Sequence, residues 1–172
     1  MPAPGYTRHS FRDYLSLLLL FLPPLLFAGL LLSHRGAPQL GWLPGFPYLP
    51  WQFWAMGVLG GAATVGGVLD WRYHRDPLHM NISKKEREAE ALALGAGGLP
   101  MFVLMWLAMW SERPALYLVP IVVVLVYTVV AICYDEFVFH FRRCGRQETL
   151  YHRLLVLGNG LAWLAWFHFI YY

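Results

Sequence analysis

Charge is scarce in this chain of 172 residues: Asp, Glu, Lys and Arg make up only 13% of it, against 58% hydrophobic residues. A soluble globular domain carries about a quarter of its residues as charges, so the composition excludes that class. No charged residue lies between Arg35 and Asp70. The net charge of +3 is too small to argue for a nucleic-acid partner. Cysteine is equally sparse. Cys133 and Cys144 lack CxxC spacing and provide no basis for a structural disulfide. A convincing signal-peptide cleavage site is also missing. The apolar run over 15–33 is too long for a signal peptide and holds Pro23-Pro24, so it reads as a membrane helix.

Aromatic residues, at 17%, and long apolar stretches dominate what remains. They predict one all-α integral membrane domain, a polytopic helical bundle over 1–172. About five transmembrane helices are expected, near 11–33, 50–73, 84–110, 115–141 and 147–170, each long enough for a hydrocarbon core of about 30 Å. Ser10 and Asp13 form a capping-box pattern for the first helix, and Pro23-Pro24 should kink it. Residues 34–50 are rich in Pro, Gly and aromatics and read as an interfacial segment, with Trp42, Phe46, Tyr48 and Trp51 at headgroup level. The small residues of GVLGGAATVGGV should let the second helix approach its neighbours closely. Pro77 ends that helix, and Ser83 with Glu86 caps the third. Gly95, Gly97, Gly98 and Pro100 predict a bend in its middle. Pro114 opens the fourth helix, and Cys144-Gly145 separates it from the fifth.

Five spans put the N-terminus and the 2–3 and 4–5 connections on one side. All Lys and Arg fall there except Arg35 and Arg113, which places that side in the cytoplasm and suggests a bacterial inner membrane. The same side also holds every acid except Glu112, and every histidine except His34 and His168. A bias of basic residues is a topology signal; a matching bias of acids and histidines is not required by topology.

Those acids and histidines fall in pairs four residues apart, a spacing that puts two side chains on one helix face about 6 Å apart along the axis. Asp70 and His74 end the second helix, Glu86 and Glu90 begin the third, Glu136 and His140 end the fourth, and Glu148 and His152 begin the fifth. Mixed carboxylate and imidazole donors from several helices suit iron, manganese or zinc. The metal-ligand set expected is Asp70, His74, His79, Glu90, Glu136, His140, Glu148 and His152. Its size fits two divalent ions, two irons before zinc or manganese. Glu86 is explained by capping, Asp135 by pairing with Arg142 or Arg143, and Cys144 by packing. His9, His34 and His168 read as interfacial residues, and Asn159 as an amide hydrogen-bonding between helices. Arg142, Arg143 and Arg146 could grip an anionic headgroup, although membrane topology explains them equally well.

These donor types resemble those of carboxylate-bridged diiron proteins. The spacing here is ExxxH instead of ExxH, and the HxxxH and HxxHH boxes of membrane desaturases and hydroxylases are missing, so the likeness is one of chemistry. The chemistry expected is a di-metal, non-haem-iron-type centre at the cytoplasmic interface, oxidising, hydroxylating or desaturating a lipid-soluble substrate. A zinc-dependent lipid hydrolase and a non-catalytic metal-binding membrane subunit are the alternatives. The topology is directly testable. Single cysteines introduced at positions 38 and 82 should react with an impermeant thiol reagent from opposite sides of the membrane; labelling of both from one side would overturn the five-span order.

Overall fold

A computed structural model of the chain describes residues 18–32, 50–75, 84–140 and 145–172. Every element among them is helical and none is a strand. Helix α1 spans Leu22–Leu32, α2 Trp51–Arg75, α3 Lys84–Leu92, α4 Leu99–Trp110, α5 Leu118–Asp135 and α6 Arg146–Tyr171. A π-helical segment, Ala93–Gly98, joins α3 to α4. A 3-10 turn, Pro114–Tyr117, leads into α5, and a second π-helical segment, Glu136–His140, follows it.

Among the described residues, four stretches are long and apolar enough to cross a bilayer: Trp51–Tyr73, Ala93–Trp110, Pro114–Phe139 and Arg146–Tyr171. The first helix appears as a shorter apolar helix over Leu18–Leu31; the earlier part of its expected 11–33 range lies outside the described residues. Instead of a kink at Pro23-Pro24, the chain turns at Phe21. The Phe21 N–H donates to the Leu18 carbonyl at 3.1 Å, and Leu25 N–H to Phe21 at 3.0 Å. The prolines occupy the first turn of α1, where an N–H would have no intrahelical acceptor.

The bend expected around Gly95–Pro100 is accommodated by widening the helix. Pro100 has no N–H to donate, and the Leu99 N–H reaches back five residues to the Leu94 carbonyl, the spacing of a π-helix. Gly97 makes this possible against α5: a Cβ there would lie 2.7 Å from Thr128 Oγ1. Thr128 turns that hydroxyl onto its own helix, donating to the Val124 carbonyl at 2.7 Å.

The tightest packing is between α2 and α6. A Cβ at Gly66 would lie 2.7 Å from Leu154 Cβ, and one at Gly158 would lie 2.8 Å from the Leu59 carbonyl oxygen and 2.9 Å from Ala63 Cβ. Further along, Gln52 Nε2 meets His168 Nδ1 at 3.0 Å. Residue numbers rise on α6 as they fall on α2, so the two helices are antiparallel. The end of α2 therefore meets the start of α6: a Cβ at Gly145 would stand 3.9 Å from Tyr73 Oη. Beyond this seam, the core of Leu30, Phe53, Met56, Met105, Met109, Ile121, Trp163 and Trp166 fills the half of the bundle nearer the start of α2 and the end of α6.

Outward faces are apolar. On α5, Val119, Val122, Val123, Val126, Val129 and Val130 are all exposed, in a segment of mean hydropathy 2.7. Such a surface would drive association in water and is solvated by hydrocarbon in a bilayer.

The glycine seam gives a stability prediction. Gly158→Val and Gly66→Val should each destabilise the detergent-purified protein by about 1–3 kcal/mol through overpacking, read as a lower thermal midpoint. Gly160→Ala, whose Cβ would meet nothing within 4 Å, should be neutral or slightly stabilising. Equal effects at all three positions would contradict the close approach.

Candidate functional site

Three helix ends share the end of the bundle where α2 finishes and α6 begins. The first carries Asp70, partly buried near the end of α2. The second is the π-helical segment after α5. Asp135, the last residue of α5, is buried at 6% exposure, and Glu136 opens the π segment. Rare π-helical turns within α-helices occur frequently at functional sites.

The third end is the first turn of α6. Glu148 stands at its third position and is 1% exposed. The Gly145 N–H donates to Glu148 Oε2 at 3.3 Å, so this carboxylate caps its own helix, with its charge favourably placed at the positive end of the helix dipole. The Thr149 hydroxyl donates to the Gly145 carbonyl at 3.0 Å. One turn further, His152 reaches across to the π segment: its Nε2 lies 3.1 Å from Glu136 Oε2. This carboxylate–imidazole contact links α6 to the end of α5 and is shielded on both sides, with His152 16% and Glu136 29% exposed. Tyr73 and Tyr151 meet edge-on beside it, with ring centroids 6.1 Å apart.

The structure thus brings Glu136 and His152 into contact and places Asp70 and Glu148 at the same end of the bundle. Glu90 and His140 lie on described helical backbone, as does His74 on α2, but their side chains fall outside the described residues, as does that of Glu86. His79, Arg142, Arg143 and Cys144 lie outside them altogether. Arg146 is exposed at the first position of α6. Among the described residues no group of three or more His, Cys, Asp or Glu side chains has metal-holding geometry.

Two features escaped the sequence reading. Glu148 was read only as a ligand, although its position three residues after the Cys144-Gly145 break is a capping signal. Asn159, expected to pack between helices, lines a cleft with Pro23, Phe27, Gly57, Trp163 and Trp166. At the opposite end from the acids, His168 packs edge-on to Trp51 at 5.3 Å and stacks on Tyr172 at 5.1 Å, an interfacial aromatic setting.

Fold and site together define an integral membrane helical bundle with a shielded acid–imidazole contact at one end. No known protein family matches the chain, and neither a curated protein nor a solved structure shows significant similarity to it.

Proposed function

We propose that this protein is a membrane-embedded metalloenzyme acting on a lipid-soluble substrate, with its metal site at the cytoplasmic end of the bundle. The observation that carries the reading is the Glu136–His152 contact at 3.1 Å, made between two helix ends that also bury Asp135 and Glu148. Ionisable groups at a membrane boundary are costly and are functional by default. Carboxylate oxygens and an imidazole nitrogen converging from separate helices are the donor set of iron, manganese and zinc sites. Asp70, His74, His79, Glu90 and His140 are the further donors proposed, and Arg142, Arg143 and Arg146 would hold an anionic headgroup near the site. The proposed orientation, with this end in the cytoplasm, is supported by the Lys and Arg bias, and the membrane proposed is a bacterial inner membrane.

Two irons would supply redox chemistry for oxidising, hydroxylating or desaturating an acyl chain, isoprenoid or quinone with O₂ as oxidant. The protein's own contribution is geometric. Glu136 and His152 fix the distance between α5 and α6, the π turn aims the Glu136 carboxylate, and the apolar bundle beyond excludes water. One observation favours a smaller centre: Glu148 Oε2 is already engaged by the Gly145 N–H, which leaves fewer oxygens to ligate. A single zinc activating water against a lipid ester or phosphoester fits that case.

Metal analysis of the purified protein separates these readings. Bound iron near two per chain indicates the oxidative centre, and about one zinc the hydrolytic one. His152→Ala and Glu136→Gln should each weaken metal affinity by at least about tenfold, since even supporting residues of metal sites contribute that much. His168→Ala, at the other end of the bundle, should leave it unchanged. Absence of bound metal after reconstitution, or equal occupancy in all four proteins, would overturn the proposal.

A further inference from the structure

The Glu136–His152 contact has a definite depth in the bilayer, and that depth limits which bonds of a lipid can reach it. The spans Pro114–Phe139 and Arg146–Tyr171 each hold 26 residues, about 39 Å of helix at about 1.5 Å per residue. A hydrocarbon core of about 30 Å leaves each of them an overhang of about 4–5 Å at either end. Glu136 precedes the end of its span, Phe139, by only three residues and so stands at the edge of the hydrocarbon. His152 follows Arg146 along α6 by about 9 Å, which puts it about 4–5 Å inside that edge.

The flanks of the contact face lipid. Phe137 and Val138, which follow Glu136, are 66% and 51% exposed, and Leu150 and Leu154, on either side of His152, are 56% and 37% exposed. Apolar side chains on the outside of a spanning segment are solvated by acyl chains. The pair itself is partly open to this surface, with Glu136 29% and His152 16% exposed. Arg146 is exposed at the start of α6, in the overhang beyond the hydrocarbon.

A phospholipid in the leaflet on this side offers different atoms at each of these levels. Its phosphate lies outside the hydrocarbon and its ester carbonyls lie at the edge. The middle of an acyl chain lies about 7–8 Å in, since the chains of one leaflet fill half of the core. Chain ends and isoprenoid tails near the midplane are deeper still. The ester carbonyl and the first few methylenes are therefore the atoms at the depth of Glu136 and His152. Arg146 falls at the level of the phosphate, which a guanidinium binds through paired, charge-assisted hydrogen bonds.

We propose that the acid–imidazole site takes a phospholipid of the adjoining leaflet, with the ester end of one acyl chain against Glu136 and His152 and the phosphate on Arg146. The inference rests on the reading of this contact as the reactive site, and it narrows the substrate. Reaction, whether oxidative or hydrolytic, falls at the ester or at the carbons next to it, and not at mid-chain. Diacylglycerol shares the ester end but lacks the phosphate, so it is the weaker ligand.

The test uses full-length protein in nanodiscs containing phosphatidylglycerol that carries a diazirine on one acyl chain, either close to the ester or at mid-chain. Photolabelled peptides are mapped by mass spectrometry. The outward face of α2 from Val65 to Arg72, both exposed, measures the lipid that merely surrounds the bundle. The probe close to the ester should label the segments around Glu136 and His152 severalfold more than α2, and the mid-chain probe should not. Arg146→Ala should lower that labelling by about threefold, within the range of an exposed ion pair. A diacylglycerol with the same diazirine should label the unmodified protein no better than the phospholipid labels Arg146→Ala. Equal labelling of α2, mid-chain labelling as strong as that close to the ester, or labelling indifferent to both Arg146 and the phosphate would overturn the proposal. Metal content measured on the same samples separates the two failures. Protein that holds the lipid at this depth without metal loses the metal reading alone, and protein that holds metal but not the lipid loses this proposal alone.

Discussion

The close antiparallel approach of α2 and α6 is the constraint on which the other features depend. Lipid tails are as apolar as leucine, so helices in a bilayer gain little from hiding hydrophobic surface and must gain from contact itself. Gly66 and Gly158 allow that contact by leaving out the atoms that would collide with Leu154, Leu59 and Ala63. Once the seam is closed, both ends of the bundle are set. At one end Tyr73 comes beside Gly145, and the first turn of α6 is delivered to the end of α5. At the other, Gln52 meets His168. The cleft lies along the margin of the same seam, because Gly57, Gly60 and Gly61 continue the small-residue face of α2 past the point where α6 fills it.

At the acid-rich end the constraint becomes electrostatic. Asp135 and Glu148 are withdrawn from solvent near a membrane boundary, where a charge needs a partner. Part of the compensation is local: Glu148 is held by the Gly145 N–H and by the start of its own helix. Part crosses between helices, where His152 faces Glu136. The metal reading rests on the kinds of donor found there, a carboxylate and an imidazole brought together from separate helices.

Hydropathy made the helical bundle legible, because spanning segments must satisfy their backbone internally and be apolar outside. The last helix was expected over 147–170 and is found over Arg146–Tyr171. The small-residue face of α2 was read as a close-contact surface, and Gly66 lies against α6 while Gly57 lies against Phe27 of α1. Among the paired acids and histidines, the chain ends that share a membrane side were readable, but contact between particular side chains was not. Four-residue spacing singled out Glu136 with His140 and Glu148 with His152, whereas the contact observed runs between pairs, from Glu136 to His152. The π-helical turns were also hidden. The first arises where Pro100 lacks an N–H and where Thr128 packs against Gly97, and the second half of that cause is tertiary. Asn159 was visible as a lone amide between glycines, but a cleft needs several helices to exist.

The account's central claim is that the ends of α5 and α6 hold a metal through carboxylate and imidazole donors. X-ray absorption at the edge of the bound metal, on protein in nanodiscs, addresses it most directly. A first shell of nitrogen and oxygen at about 2.0–2.2 Å is predicted, with outer-shell imidazole scattering that diminishes in His152→Ala. A spectrum without imidazole scattering, or one indistinguishable between the unmodified protein and His152→Ala, would contradict it.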